Sequence, residues 1–378
     1  MSVTNIPEKT RVRLWVDAGG RCQYAGCNKP LWRDDLTMAR MNASYIAHII
    51  ADSPDGPRGD SDLSPKLAAD LSNLMLMCDA HHRLIDREDV AGHPVDRLRK
   101  MKSEHEARIE QLTSLQKDRK SHVILYGANI GDHRAQLSTA RAFRAMLPEW
   151  YPADTLTIQL GLGNSPFKDG EDFTWAMERE SLGRQFAELV RPRLGGDGHH
   201  FSVFALAPQP LLMELGRLLC DIPAAEVYQL HREPQDWQWL AAPAKQDYSV
   251  HRPQTRHKCV ALNLSLSATI AEARIADVLK RDHSVWTLTV EAPGNDYLRS
   301  RQQLQAFRER FRALLNEIKA AHGEDAILHV FPAVPVSVAV EVGRTWMPKA
   351  DLPMRIYDQN RKKGGFVHAF DFGSANQE

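Results

Sequence analysis

The chain has 378 residues, which is too long for one ordinary domain and comfortable for two or three. Its 43% of hydrophobic and 25% of charged residues are typical of a globular protein and exclude a disordered or fibrous one. Lys and Arg together number 48, as do Asp and Glu, so the net charge is zero and does not indicate a nucleic-acid partner. Binding of DNA would require a local basic patch or the combined surfaces of several protomers. No run of about 18 apolar residues predicts a membrane span, and the N-terminus lacks a signal-peptide core, so we expect a soluble intracellular protein.

Residues 1–93 are rich in Cys, His, Asp and turn residues. Two pairs of potential metal ligands lie here, in CQYAGC and in CDAH, separated by a long insertion. This arrangement is typical of a structural zinc site, which takes four tetrahedral ligands and contributes folding free energy to a domain with little apolar core. The alternative is a set of unpaired cysteines in a loop. The predicted Zn²⁺ ligands are Cys22, Cys27, Cys78 and His81.

Three further residues follow in the order histidine, asparagine, histidine. His48 interrupts the apolar strand-like run SYIAHII, Asn73 lies in LSNLMLMC, and His82 follows the predicted zinc ligand in CDAHH. On these residues the segment resembles the HNH nucleases, which implies an α+β domain with the ββα-metal fold and a zinc knuckle. The resemblance covers about residues 10–93. It implies that His48 is the general base that deprotonates water, that Asn73 pins the turn and orients this base, and that His82 holds a divalent cation at the scissile phosphate.

The ligands of the catalytic cation are less well defined by the sequence. His82 and Asp86 are four residues apart, so on a helix they lie on one face and would bind Mg²⁺ or a similar cation together. Asp86 also suits a capping or salt-bridge role. Ala47 stands where many HNH enzymes have an Asp or His ligand, so water or DNA phosphates would have to complete the site. Histidine suits the base role because its pKa lies near neutrality, and a cation neutralises the charge that develops on the phosphate.

The rest of the chain has a different pattern of apolar and charged residues. Residues 94–120 have apolar side chains at helical spacing and a charged opposite face, which predicts a helical connector. In residues 121–378, apolar strands alternate with amphipathic helices, which predicts an α/β domain with largely parallel sheets. Cys220 and Cys259 lie in apolar runs of this part, and we expect both to be buried thiols.

An internal repeat divides this α/β part. VFALAPQPLLMELGR at 203–217 aligns without a gap with VFPAVPVSVAVEVGR at 330–344, sharing Val, Phe, Pro, Glu, Gly and Arg. Each copy predicts a strand, a Pro-containing turn and a helix, and two copies predict a duplicated domain with a pseudo-two-fold axis. Ligands of open α/β sheets bind at the carboxyl ends of strands, so this axis would suit a pseudo-symmetric ligand. The alternative is a remnant of duplication without a ligand.

These sequences resemble a SAVED domain, in which two fused CARF/Rossmann-like units, here 121–253 and 254–378, bind cyclic oligonucleotides. The whole chain resembles the HNH–SAVED effector nucleases of CBASS anti-phage systems. The resemblance implies a bacterial cytoplasmic protein that binds a cyclic di- or trinucleotide second messenger. It also implies a homo-oligomer, a dimer that assembles into a tetramer or larger on activation, and degradation of double-stranded DNA during abortive infection.

A cyclic oligonucleotide requires stacking aromatic rings, cations and backbone N–H groups near strand ends. Loops and helices beside the predicted strands offer such residues, although each also suits an ordinary packing or surface role. The candidates for messenger binding are Trp175, Gln209, Tyr297, Arg299 and Pro335.

Two other functions are compatible with the sequence. Ala47 leaves open a non-catalytic sensor or scaffold, in which a zinc-stabilised HNH remnant binds DNA without cutting it. A constitutive restriction-type nuclease, whose α/β half reads modified DNA, is disfavoured by the neutral charge, because a stand-alone DNA reader usually has a basic face.

Overall fold

The structure is a computed structural model that describes residues 4–34, 36–115, 119–131, 133, 135–162, 174–194, 200–240, 246–360 and 362–373. The chain forms two compact units, Met1–Leu115 and Gln116–Glu378. Within the described residues, no helix combines the length and the apolar character that crossing a membrane requires.

The first unit is built around an antiparallel strand pair, in which Ser44 pairs with Cys78 and His48 with Leu74. The second strand of the pair has the sequence LMLMC and is buried at every position. A 3₁₀ turn precedes this strand, and a short helix that continues into a π-helical turn follows it. The elements are α1 (Glu8–Asp17), β1 (Ser44–His48), α2 (Leu63–Leu67), β2 (Leu74–Cys78), α3 (Asp79–Arg83) and α4 (Val95–Thr113).

Helix α4 lies in the segment that the sequence predicts as a helical connector. Its residues Leu98 and Met101 are buried among apolar residues of the first unit. The ring Nε2–H of His105 donates to the backbone carbonyl of Ala18 at the end of α1, at 2.9 Å. The helix therefore packs as part of the first unit, whose last residue is Leu115.

The second unit contains strands and helices in alternation. Its elements up to residue 227 are β3 (Lys120–Gly127), α5 (Thr139–Met146), β4 (Tyr151–Pro152), β5 (Ile158–Leu160), α6 (Thr174–Gln185), β6 (His200–Leu206), α7 (Gln209–Leu219) and β7 (Ala224–Val227). Those that follow are β8 (Ser249–His251), β9 (Cys259–Ser265), α8 (Glu272–Leu279), β10 (His283–Thr289), α9 (Arg301–His322), β11 (Leu328–Ala333), α10 (Val336–Thr345), β12 (Met354–Asn360) and β13 (Gly365–Phe372).

The strands of the second unit form two sheets. In the described residues one sheet has the order β4-β3-β6-β7, with β5 also paired to β3, and all of these pairs are parallel. The other has the order β13-β12-β11-β9-β10-β8, in which only the two edge strands pair antiparallel. The predicted α/β architecture with largely parallel sheets is therefore confirmed. Cys259 is buried as expected, whereas Cys220 is half-buried because it ends a helix.

The sequence repeat corresponds to two strand–turn–helix segments, β6–α7 and β11–α10. Their helices cross in close contact at Gly216 and Gly343, which occupy equivalent positions in the two copies. A Cβ at Gly216 would lie 1.9 Å from the carbonyl oxygen of Val340, and one at Gly343 would lie 1.8 Å from that of Met213. Only a residue without a side chain fits at this crossing, because each glycine faces the backbone of the other helix.

Paired charges flank the crossing in the same pseudo-symmetric way. Arg217 donates to the buried carboxylate of Glu214 at 2.8 Å, and Arg344 donates to the buried carboxylate of Glu341 at 2.9 Å. These Glu–Arg pairs are conserved between the two copies of the repeat, so each buried acid has a cation within its own helix. The duplication therefore extends from the sequence to the contacts that join the two halves.

Candidate functional site

The four predicted zinc ligands come together in the first unit. Their ligand atoms, three Sγ atoms and one ring nitrogen, all lie within 4.8 Å of one another. Nδ1 of His81 is 3.2 Å from Sγ of Cys78 and 3.7 Å from Sγ of Cys22. Sulfur and nitrogen ligands of a tetrahedral zinc ion lie about 3.6 Å apart, so this donor set fits Zn²⁺. Burial raises the pKa of the Cys22 thiol to about 12, which keeps that thiol protonated unless a cation is bound.

A tyrosine that sequence reasoning missed orients the histidine of this cluster. Tyr24 lies between Cys22 and Cys27, and its ring stacks on His81 with centroids 4.1 Å apart and planes 2° apart. The Tyr24 hydroxyl is 3.0 Å from Nε2 of His93. The position of Tyr24 between two cysteines was the only sequence signal for this role. Ring stacking holds His81 with Nδ1 toward the sulfur atoms.

His48 ends strand β1 with its side chain 7% exposed. Its Nε2 lies 2.9 Å from the backbone carbonyl oxygen of Ala68. Because a carbonyl only accepts, Nε2 must carry the hydrogen, and in a neutral ring the lone pair is then on Nδ1. In that tautomer, Nδ1 is the nitrogen that could accept a proton. Ala47, the preceding residue, is 1% exposed and packs in the apolar core.

Asn73 ties together the two backbone segments that hold His48. Its Oδ1 accepts from the backbone N–H of Ile50 at 2.8 Å, and its Nδ2 donates to the carbonyl of Ile50 at 2.8 Å. Nδ2 also donates to the carbonyl of Leu67 at 3.2 Å. Ile50 lies two residues after His48, and Leu67 immediately precedes Ala68. The amide therefore supports both partners of the histidine–carbonyl hydrogen bond.

His82 lies on α3, beside the ligand cluster. Its Nε2 is 3.4 Å from Oδ2 of Asp86, and its ring stacks on Tyr45 with centroids 5.1 Å apart. Burial lowers the pKa of His82, Asp86 opposes this shift, and the nearby His48 adds to it. The ring is therefore neutral near pH 7 and has a lone pair for a cation. N and O ligands of an octahedral cation lie about 3 Å apart, so His82 and Asp86 fit as two of its ligands.

Asp86 has a second partner that the sequence did not reveal. Arg58, in the polar loop before α2, donates to Oδ1 of Asp86 at 2.5 Å. Its guanidinium also donates to the carbonyls of Ile49 at 2.8 Å and Ile85 at 2.6 Å. The salt-bridge alternative for Asp86 is thus present, while Oδ2 still faces His82. Arg58 fixes the carboxylate and connects the loop to the end of β1.

The second unit contains a cavity of about 690 Å³ at the carboxyl ends of its parallel strands. Residues that follow β6, β7, β9 and β11 line it, together with the end of β12, as is usual for open α/β sheets. Because these strands belong to both sheets, the cavity lies where the two halves of the unit meet. The lining residues are Ile130, 206–209, 229–232, Gln235, Ser267, Asn295, 334–336 and 358–359.

Two of the five residues predicted to bind the messenger line this cavity, Gln209 and Pro335. Oε1 of Gln209 accepts from the backbone N–H of Val334 at 3.1 Å, across the boundary between the halves. Gln229, which sequence reasoning missed, makes a similar bridge, because its Oε1 accepts from the Ser337 hydroxyl at 2.8 Å. The cavity wall is therefore held by side-chain amides of the first half, which bind the loop before α10 and the start of α10 in the second half.

The other three predicted residues lie outside the cavity lining. Trp175 is 7% exposed and packs edge-on against Phe370 in the core, with ring centroids 6.4 Å apart. Tyr297 packs edge-on against Tyr248, and burial raises its pKa well above the usual value for tyrosine. These two aromatic rings are thus used in packing. Arg299 is exposed, and its charge contributes to the surroundings of a histidine in the cavity wall.

Comparison with known proteins identifies one family in this chain. The family described as "SMODS-associated and fused to various effectors sensor domain", abbreviated SAVED, matches residues 182–372. Among curated proteins, none matches the chain.

The chain is also similar to several solved structures. One is the Acinetobacter baumannii Cap4 SAVED/CARF-domain containing receptor with the cyclic trinucleotide 2'3'3'-cAAA, at a TM-score of 0.41 and 12% identity, covering 73% of this chain and 55% of that chain. Another structure of this receptor has a TM-score of 0.40 and 10% identity, and the match covers 82% of this chain and 65% of that chain. The receptor with the cyclic trinucleotide 3'3'3'-cAAA has a TM-score of 0.40 and 13% identity, and the match covers 73% of this chain and 60% of that chain. This chain spans less than two thirds of those chains.

Proposed function

The chain belongs to the SAVED family of sensor domains, and from this we propose that it couples the binding of a cyclic oligonucleotide to the cleavage of double-stranded DNA. By its description, a domain of this family is fused to various effectors, and the first unit would be the effector of this chain. The observation that supports the nuclease activity is the geometry of His48, whose Nε2 contacts the carbonyl of Ala68, together with the His82–Asp86 pair. The biological role would be anti-phage defence by abortive infection.

The residues of the first unit would have separate roles in the hydrolysis of DNA. Nδ1 of His48 takes a proton from the attacking water, and the carbonyl of Ala68 holds the ring in the tautomer that permits this. Asn73 keeps both groups in place. His82 and Oδ2 of Asp86 would hold a divalent cation. When bound, this cation neutralises negative charge on the phosphate and the leaving oxygen.

The cysteine–histidine cluster would hold a structural Zn²⁺. Its ligands come from the loop after α1, the end of β2 and α3, so they connect three segments around the strand pair. The same α3 that provides His81 to this cluster provides His82 to the catalytic side. A bound zinc ion would therefore stabilise the helix on which the second cation depends.

The cavity of the second unit is the proposed binding site for the cyclic oligonucleotide. Its volume of about 690 Å³ lies within the range of about 300–1,000 Å³ that is usual for ligand sites. Helices α7 and α10 both begin at its wall, with Gln209 and Val336 as their first residues. Backbone N–H groups at helix N-termini interact favourably with phosphates, and the lining amides suit base edges.

A plasmid assay with Mg²⁺ tests this function directly. The purified chain is incubated with double-stranded plasmid alone and with each member of a panel of cyclic di- and trinucleotides, including the two cyclic triadenylates seen in the Cap4 receptor structures. We expect cleavage only with one class of nucleotide, and none with the His48→Ala variant. Cleavage without any nucleotide would indicate a constitutive nuclease, and nucleotide binding without cleavage would indicate a non-catalytic sensor.

A further inference from the structure

His231 is an unusual residue in the cavity wall. It is 3% exposed, and its ring Nε2 is buried with no hydrogen-bond partner among the residues that the structure describes. Gln229, another buried polar residue of the wall, has its side-chain oxygen bonded to Ser337. A buried polar atom without a partner costs folding free energy, and in native structures such atoms often have a functional reason.

The fold holds the His231 ring in place without using Nε2. The residue follows β7, and its backbone N–H donates to the carbonyl of Asp236 at 2.9 Å. Its ring packs edge-on against Trp239, with centroids 6.1 Å apart and planes 72° apart. The ring is therefore positioned before any ligand binds, while Nε2 itself is covered, so a ligand atom would reach it once the atoms of the wall that cover it move aside.

The charges around the cavity favour a neutral partner for this nitrogen. Burial lowers the pKa of His231, Asp296 and Asp236 oppose this shift, and Arg299 adds to it, so the ring is neutral near pH 7. Among the described lining residues, Arg232 and Asp358 carry one opposite charge each, so their formal charges cancel.

Most other polar lining residues are neutral amides or hydroxyls: Gln209, Gln229, Gln235, Ser267, Asn295 and Gln359. Neutral groups that both donate and accept are suited to the edge of a nucleobase. A phosphate is usually bound by arginine, lysine or a protonated histidine. The chemistry of this wall therefore matches the bases of a ligand better than its phosphates.

We propose that His231 is a specificity-determining residue, whose Nε2 forms a hydrogen bond with the edge of one base of the bound ligand. The inference rests on the proposed function of the cavity as a cyclic-oligonucleotide site. It adds that the unsatisfied nitrogen is the point at which one base is distinguished from another.

Isothermal titration calorimetry with the full chain tests the proposal. The probes are cyclic di-adenylate, cyclic di-guanylate, cyclic adenylate–guanylate and the two cyclic triadenylates. We expect His231→Ala to weaken the tightest probe about tenfold, the effect of one lost hydrogen bond, and to reduce the preference among bases. The melting temperature of His231→Ala should fall, because the buried ring packs against Trp239 and its removal leaves a cavity, so the affinities are compared well below the transition. His231→Gln, which keeps a polar group with a different reach, should fold and change the order of preference.

His329→Ala is the matched control. His329 is 4% exposed, belongs to the same unit, and does not line the cavity, but its Nδ1 has a partner in the Tyr357 hydroxyl at 2.8 Å. Its loss should also lower the melting temperature but leave the affinity unchanged, which separates destabilisation from a lost ligand contact. Unchanged affinity in both His231 variants would overturn the contact. An equal loss for every probe would place Nε2 on the shared sugar–phosphate backbone and overturn base recognition. Failure of the unsubstituted chain to bind any probe would instead refute the proposed function, and the inference with it.

Discussion

Replacing Gly216 by alanine tests whether the crossing of α7 and α10 determines how the halves of the second unit fit together. The added Cβ would lie 1.9 Å from the carbonyl oxygen of Val340 and 2.9 Å from the backbone nitrogen of Arg344. Carbon atoms normally contact their neighbours at about 3.5 Å, so the helices would have to separate by roughly 1.5 Å. The contacted atoms belong to the backbone of a buried helix and cannot rotate away.

The cost follows from two opposing effects. Overpacking of a well-packed core costs about 1–3 kcal/mol, and the better helix propensity of alanine returns about 1 kcal/mol. Because the clash is with backbone atoms, we expect the larger costs to apply, with a net loss of about 2 kcal/mol or more in the free energy of unfolding. In a domain of this size, this lowers the melting temperature by about 4–8 °C.

Calorimetry of the full chain measures this shift, with Gly183→Ala as the matched control. Gly183 lies in helix α6, and apart from its own helix backbone and chain neighbours no atom of the described residues lies within 4 Å of its added Cβ, so alanine there should stabilise the unit by up to about 1 kcal/mol. Gly343→Ala should behave like the Gly216 variant, because its Cβ would lie 1.8 Å from the Met213 carbonyl oxygen. A Gly216→Ala variant that melts at or above the temperature of the unsubstituted chain would refute the reasoning.

Three further predictions concern activity and assembly. His48→Ala should lower DNA cleavage by about 10²–10⁴-fold without loss of bound metal, because the residue acts on water; cleavage at the original rate would place the base elsewhere. His81→Ala should lose zinc and destabilise the first unit, whereas His82→Ala should retain zinc and lose activity; metal analysis with the reverse result would exchange the two assignments. Light scattering should show that the activating nucleotide converts a dimer into a tetramer or larger species, because a neutral protomer binds DNA more tightly when several protomers contact the same duplex. An unchanged mass in a fully active sample would exclude assembly as the switch.

Features that depend on residue type at short spacing could be predicted from the sequence. The cysteine and histidine pairs were found because each pair spans only a few residues, and the structure brings their ligand atoms within 4.8 Å. His48 and Asn73 were identified by their order along the chain, and the side chain of Asn73 hydrogen-bonds to the backbone of Ile50 and Leu67. That these residues bind metal and cleave DNA stays a prediction.

The α/β part was predictable where the pattern was strong. The repeat at 203–217 and 330–344 identified the turns beside Gln209 and Pro335, both of which line the cavity. Strand β8, Ser249–His251, escaped prediction because an edge strand of this length has no buried face and hence no hydrophobic pattern.

Tertiary structure alone decided which side chains meet across long stretches of chain. Arg58 reaches Asp86 across 28 positions, and nothing in a polar loop indicates that its one arginine will fix a carboxylate. Trp175 was a plausible stacking residue in sequence, but the second unit uses its ring in the core. His231 gave no signal, since an unsatisfied nitrogen is defined by the absence of a neighbour among the described residues. Spacing along the chain encodes local periodicity and short ligand pairs, whereas burial and hydrogen-bond partners depend on how distant segments pack.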